Sequence, residues 1–266
     1  MTTPTAIAIG AHPDDIEFYM AGTLLLLKRA GFDIHYFNVA NGCCGSVQHN
    51  ARQLSRIRLG EAKRAAKVLG AHFHAPICND MEIVYDLKLV RRVAAVIREV
   101  KPAVILTHPP VDYMEDHTNT CRIVVTAAFA HAMPNFRSLP PRATADYDLT
   151  IYHAIPHSLR DPLRRIVMPE AFVNTASVQE TKRAALAEHQ SQQNWLDVSQ
   201  GLDSLGGKVD EVARLVGKCS KKFKFAEGWR RHLHYGFSAT ELDPLRDTLG
   251  KDFLVNSAYE REQNRA

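Results

Sequence analysis

Along the first 155 residues, short apolar runs alternate with longer segments of helical periodicity. Runs of five to seven residues with little polar content predict strands over 5–10, 33–39, 72–77, 103–107 and 149–155. Apolar positions recurring every three to four residues predict helices over 16–30, 49–69, 86–100 and 117–132. Each helix is bounded by Gly, Pro or an Asn/Asp cluster. Alternation of this kind predicts an α/β fold with a mainly parallel sheet between layers of helices. Segment 133–147, rich in Pro, Arg and small residues, reads as a loop over the sheet's C-terminal edge. After about residue 195 the pattern changes, and the apolar positions spaced among Lys and Arg in 207–235 suggest one or two helices. The expected organisation is one domain over 1–195, followed by a helical or irregular extension over 196–266. That extension is either part of the same domain or a small appendage.

Composition narrows the function classes. A hydrophobic content of 45% supports an ordinary packed core, and a net charge of +4 permits an anionic substrate. No Lys/Arg stripe with interleaved aromatics appears, so no nucleic-acid partner is expected. No apolar stretch approaches the ~18 residues of a membrane span, and the N-terminus lacks the basic start and long apolar stretch of a secretory signal. Five scattered cysteines favour free thiols in a reducing compartment, so the expectation is a cytoplasmic protein. A homo-oligomer is compatible with all of this.

The chemistry concentrates at two strand ends. The first predicted strand runs directly into Ala11-His12-Pro13-Asp14-Asp15, and the fourth runs into His108-Pro109-Pro110-Val111-Asp112-Tyr113-Met114-Glu115-Asp116-His117. Parallel strands point their C-terminal ends the same way, so the two loops can meet where open α/β sheets bind ligands. Two ligands from the first loop and one from the second would make a three-ligand metal site with a spare carboxylate, as catalytic zinc uses. Blander readings stand beside this one. Asp14 or Asp15 can cap the following helix, Asp116 can cap the helix at 117, and His108, His131, His153 and His157 read as packing or surface residues.

These motifs give the chain a resemblance to the LmbE-like, PIG-L-type zinc-dependent N-deacetylases. Ala-His-Pro-Asp-Asp stands complete at 11–15, with Ile16-Glu17 behind it. The family's Asp-x-His-Pro-Asp-His is similar to Asp112-Tyr113-Met114-Glu115-Asp116-His117, with Met114 in place of the internal His and Glu115 in place of Pro. Arg58-x-x-Glu61-Ala62 through Leu69-Gly70 resembles the family's Arg-led helix, and His189-x-Ser191-Gln192 resembles a late motif. The resemblance runs in order over about residues 5–195.

The resemblance implies a Rossmann-like three-layer fold and a hydrolase that removes the N-acetyl group from an N-acetylated amino sugar, such as an N-acetylglucosamine conjugate, releasing acetate. It implies Zn2+, or Fe2+ or another divalent metal, on His12, Asp15 and His117. Asp14 is then the general base, and Asp116 and His189 join the catalytic group. Arg58, Asp80 and Tyr113 are the substrate-binding candidates. A thioether has no titratable proton, so the lost role at Met114 passes to His189, Tyr113 or His153, in that order. Where the family carries Gly-Glu-x-Gly, this chain has Asn41-Gly42-Cys43-Cys44-Gly45. Adjacent cysteines are expected to chelate one tetrahedral metal poorly, so Cys43 and Cys44 read as small residues in a Gly-rich turn. The rivals are a nucleotide-binding domain, disfavoured by the absence of a Gly-rich loop after the first strand, a non-catalytic metal-binding protein, and an amidase on a non-sugar amide.

Overall fold

The first strand, β1 (Thr5–Gly10), is buried almost end to end and lies near the middle of an eight-stranded sheet in the computed structural model, which describes residues 3–193, 195 and 205–263. It pairs in parallel with β2 (Asp33–Asn38) on one side and β4 (Val104–Thr107) on the other. Then β3 (His72–His74) extends the β2 side and β5 (Thr150–Ala154) the β4 side, both in parallel. The five strands match the predicted positions, with β3 shorter than expected. Since the chain leaves β1 in both directions across the sheet, the crevice between the C-terminal ends of β1 and β4 is the topological switch point.

The parallel half does not end the sheet. Three antiparallel strands, β6 (Ala171–Asn174), β7 (Ala226–Arg231) and β8 (Phe253–Val255), continue it in the order β5-β7-β6-β8. The segment 207–235, expected to be helical, is therefore helix only in its first part, and its second part is β7. Of the predicted extension, residues 196–204 lie outside the described residues, while β7 and β8 belong to the same sheet as β1.

Helices cover both faces. On one side, α2 (Ala21–Arg29) packs with the even-numbered face of the strands, Ala6, Ala8, Tyr36 and Leu106, and with Trp229. On the other, α4 (Leu87–Val100) and α5 (Glu115–Phe129) cover Ile7, Ile9, Phe37 and Ile105. The 19-residue α3 (Ala51–Leu69) starts at a capping box between Asn50 and Gln53 and stops at Gly70, whose φ of 64° gives the left-handed exit. Asp86 caps α4 by accepting from Leu89 N at 2.7 Å. Further helices are α6 (Gln179–Leu186), α7 (Leu205–Ser220), α8 (Pro244–Leu249) and α9 (Ser257–Gln263). No helix among the described residues is long and apolar enough to cross a membrane.

Two departures from expectation have local causes. The predicted helix 16–30 divides into α1 (Asp15–Tyr19) and α2 because the Glu227 carboxylate accepts from Gly22 N (2.8 Å) and Thr23 N (2.7 Å), which caps a fresh helix N-terminus there. Segment 133–147 does not cross the C-terminal edge of the strands. It folds along α4, where Leu139 N donates to Arg91 O and the Arg98 guanidinium donates to the carbonyls of Ala130, His131, Met133 and Arg142.

Candidate metal centre

β1 and β4 bring their two loops together at their C-terminal ends. Asp15 is the hub. Its Oδ2 accepts from the backbone N–H groups of Ala11 (3.1 Å) and His12 (2.7 Å), which fixes the carboxylate against the strand end. The side chains of His12 and His117 then close on it, with His12 Nδ1 3.6 Å from Oδ2 and His117 Nε2 3.3 Å from Oδ1. One donor atom each of His12, Asp15 and His117 fall within 4.8 Å of one another.

Each of the two imidazoles is held from behind by a carboxylate. Asp116 Oδ2 accepts from His12 Nε2 at 2.9 Å and from Met81 N at 2.8 Å. Asp112 Oδ1 accepts from His117 Nδ1 at 3.1 Å. Such partners fix tautomer and ring orientation and leave the opposite nitrogen free to ligate. The electrostatics agree. Burial alone would lower His12, but Asp116 and Asp15 outweigh it and push the imidazole up to about 10. Burial likewise opposes the charge on His117, and Asp15 and Asp112 raise it to about 9. Asp15 is held well below the carboxylate range, its burial outweighed by His117 and His108. Three buried carboxylates around two imidazoles create a strong demand for positive charge, and the N/O donor set suits Zn2+ or Fe2+. The residues therefore fit a divalent ion.

Asp14 behaves differently from its neighbour. It takes the N-cap position of α1 at φ 112°, yet its carboxylate makes no capping hydrogen bond. Burial, and then the negative charge of Asp15, raise it to about 7. A carboxylate held in a rare backbone conformation without a capping role is a functional-site signature. The helix at 117 also begins earlier than expected, so Met114 rather than Asp116 is the N-cap of α5.

The other expected residues sit at varying distance from this hub. His189 lies behind Asp14, with Nε2 3.1 Å from Glu17 Oε1 and Nδ1 without a partner among the described residues. Burial opposes its charge, but Glu17 and Asp14 raise it. Arg58 is buried, donates through Nη2 to Gly45 O and to Gln192 Oε1, and leaves Nε unpartnered among the described residues. Both oxygens of Asp80 are engaged, Oδ1 by Gly42 N at 2.6 Å and Oδ2 by Cys44 N at 3.0 Å, so it shapes the 42–44 turn. Tyr113 is exposed, its ring 5.8 Å from that of His117. His153 is committed elsewhere, bonded to His108 O and to His232, and burial pushes it down to about 4.

His108 is the residue that sequence reasoning set aside. Its Nε2 is 3.1 Å from Asp15 Oδ2 and its ring stacks on His117 at 4.0 Å between centroids. Burial lowers it, so it is the neutral imidazole under the site. It is the first residue after β4, the same strand-end position that singles out the 11–15 loop after β1.

Comparison with known proteins places this geometry. Residues 7–128 match the family model described as PIG-L, GlcNAc-PI de-N-acetylase, so the resemblance read from the motifs is shown over that stretch. The chain is 25% identical over 202 residues to a 4-oxalmesaconate hydratase of Pseudomonas putida, covering 70% of this chain and 74% of that protein. Among solved structures it is similar to GalB, the 4-carboxy-2-hydroxymuconate hydratase of the same species, with TM-score 0.73, 20% identity, and coverage of 90% of this chain and 100% of that one. It is also similar to the N,N′-diacetylchitobiose deacetylase of Pyrococcus horikoshii, with TM-score 0.71, 20% identity, and coverage of 91% and 89%. At this identity the structures establish the shared fold, and the proteins concerned include both hydratases and a deacetylase.

Proposed function

We propose that this PIG-L-type protein is a metal-dependent hydrolase that removes the N-acetyl group from an N-acetylated amino sugar or its conjugate, releasing acetate. The observation that carries the reading is the contrast between adjacent carboxylates. Asp15 has its oxygens turned to imidazoles and strand-end N–H groups, while Asp14 is raised to about 7 and has no capping hydrogen bond. His12, Asp15 and His117 are the residues that would hold the ion, oriented by Asp116 and Asp112. A divalent ion there supplies Lewis-acid chemistry, lowering the pKa of water toward ~7 and polarising a carbonyl. Asp14 takes the proton of the attacking water, and its pKa near 7 matches that task. His189, whose charged form Glu17 and Asp14 favour against burial, supplies the proton of the departing amine that Met114 lacks. The buried Arg58, whose Nε has no partner among the described residues, orients the polar part of the substrate. Tyr113, whose ring is 5.8 Å from that of His117, is a further substrate contact, and Asp80 acts through the 42–44 turn that it holds.

A second reading, hydration of an unsaturated carboxylate, is favoured by the loss of a proton donor at Met114 together with the likeness, in sequence and in structure, to hydratase activity of Pseudomonas putida. A water-activating base serves either reaction, and the Arg58 guanidinium suits a carboxylate. Zn2+-supplemented enzyme incubated with N-acetylglucosamine and N,N′-diacetylchitobiose, with acetate as the readout, separates the two. Acetate release that falls about 10²–10⁴-fold in Asp14→Asn is the expected result. No acetate, with loss of conjugated absorbance from 4-oxalmesaconate, would transfer the activity to the second reading.

A further inference from the structure

Beside the metal centre lies a second cluster of ligating atoms that the proposed reaction does not use. Cys43, Cys44 and Asp80 each place one ligand atom within 4.8 Å of the others. The two sulfurs are 3.8 Å apart. That separation decides between two readings of adjacent cysteines. Zinc–thiolate bonds of about 2.3 Å at the tetrahedral angle put their sulfurs about 3.8 Å apart, so the pair already spans one edge of a tetrahedral thiolate site. The sequence-based expectation that neighbouring cysteines would chelate poorly assumes side chains that diverge, and here they do not. Gly42, at φ 76°, provides the turn, and a Cβ there would lie 2.2 Å from Arg58 Cδ, so the loop is held hard against the arginine.

We propose that Cys43, Cys44 and Asp80 form a second cation site, specific for a thiophilic divalent ion of the Zn2+ or Cd2+ class. Two thiolates and one carboxylate select soft or borderline ions over Mg2+ or Ca2+. Asp80 is fixed for the role, since its two oxygens accept from Gly42 N and Cys44 N and keep lone pairs to spare. Cys44 is exposed and Cys43 buried, so an ion enters from solvent on the Cys44 side and leaves a fourth position to water. The loop so clamped includes Gly45, whose carbonyl accepts from Arg58 Nη2 at 3.3 Å. Occupancy would therefore stiffen the loop that seats Arg58. The site is separate from the His12, Asp15 and His117 centre and stands whether or not that centre performs deacetylation.

The test is a Cd2+ titration of the chelator-stripped, thiol-reduced protein, following the ultraviolet sulfur-to-metal charge-transfer absorption and the bound metal. The expected result is an absorption that saturates at one thiolate-bound ion per chain. It is abolished in Cys43→Ser and in Cys44→Ser, the latter an exposed position where folding is not at stake. It persists in the His12→Ala/His117→Ala double variant and in Cys121→Ser. Asp80→Asn should weaken binding by at least roughly tenfold. Absence of the absorption in the parent, its survival in Cys44→Ser, or unchanged affinity in Asp80→Asn would each overturn the site.

Discussion

The two halves of the sheet each bury a charged cluster, and the clusters are built on opposite principles. In the antiparallel half, Glu227 is fully satisfied. Its oxygens accept from Gly22 N, Thr23 N, Thr23 Oγ1 and Lys182 Nζ at 2.6–2.8 Å, and Trp229 Nε1 donates to Thr23 Oγ1. In the parallel half, Asp14, Asp15, Asp112 and Asp116 crowd around two imidazoles and leave one carboxylate raised to about 7. The first cluster ties α2, α6 and β7 together. The second has charge left over, and leftover charge is what a ligand or a reaction can use. Burial alone does not separate them, since the carboxylates of both are buried. The count of donors against acceptors does.

Removing one partner from a satisfied buried pair is the harshest way to probe this contrast. Lys182→Met leaves Glu227 without its cation and should destabilise the fold by about 3–5 kcal/mol, read by denaturant unfolding. Metal content per folded chain should not change. Equal loss of metal would show that the two clusters are not independent.

At the unsatisfied cluster the same kind of change should have the opposite sign. Asp14 holds its proton to about pH 7 in the folded chain, well above the ordinary carboxylate range of about 4. The stability it contributes is therefore present at low pH and is lost as pH rises from about 4 through about 7, because the folded state then carries a buried charge that the unfolded chain solvates. Asn cannot ionise, and it tolerates left-handed backbone better than most residues. In chelator at pH 8, Asp14→Asn should accordingly be more stable than the parent by about 1 kcal/mol or more, with a flatter dependence of Tm on pH. A destabilised Asp14→Asn at pH 8 would mean that the carboxylate serves the fold. In the loaded enzyme, activity should fall on the acid side, as the base becomes protonated.

An exposed pair sets the floor of the scale. Arg142 and Glu99 are 2.8 Å apart, but both side chains are about half exposed. Glu99→Gln should change stability by less than about 1 kcal/mol, and salt should erase the difference.

The same contrast explains what could be read in advance. The parallel strands and the 11–15 and 112–117 loops are legible because β-α alternation is a local pattern and parallel strands share a direction, so sequence alone brings His12, Asp15 and His117 together. The antiparallel strands are not legible. Ala226-Glu227-Gly228-Trp229-Arg230-Arg231 carries its charges in the strand itself, and only the distant Lys182 and Thr23 make Glu227 a core residue. His108 is not legible either, since its partner Asp15 is 93 residues away. The bite of Cys43 and Cys44 depends on side-chain directions that no spacing encodes.

Two adjacent carboxylates divide the labour at this centre, and metal content of the purified variants measures the division directly. About one Zn2+ or Fe2+ is expected on the histidine centre of the parent and of Asp14→Asn, with activity lost only in the second. Strongly reduced occupancy is expected in Asp15→Asn, measured in a Cys43→Ser/Cys44→Ser background so that only the histidine centre is counted. Metal retained in Asp15→Asn and lost in Asp14→Asn would contradict this division.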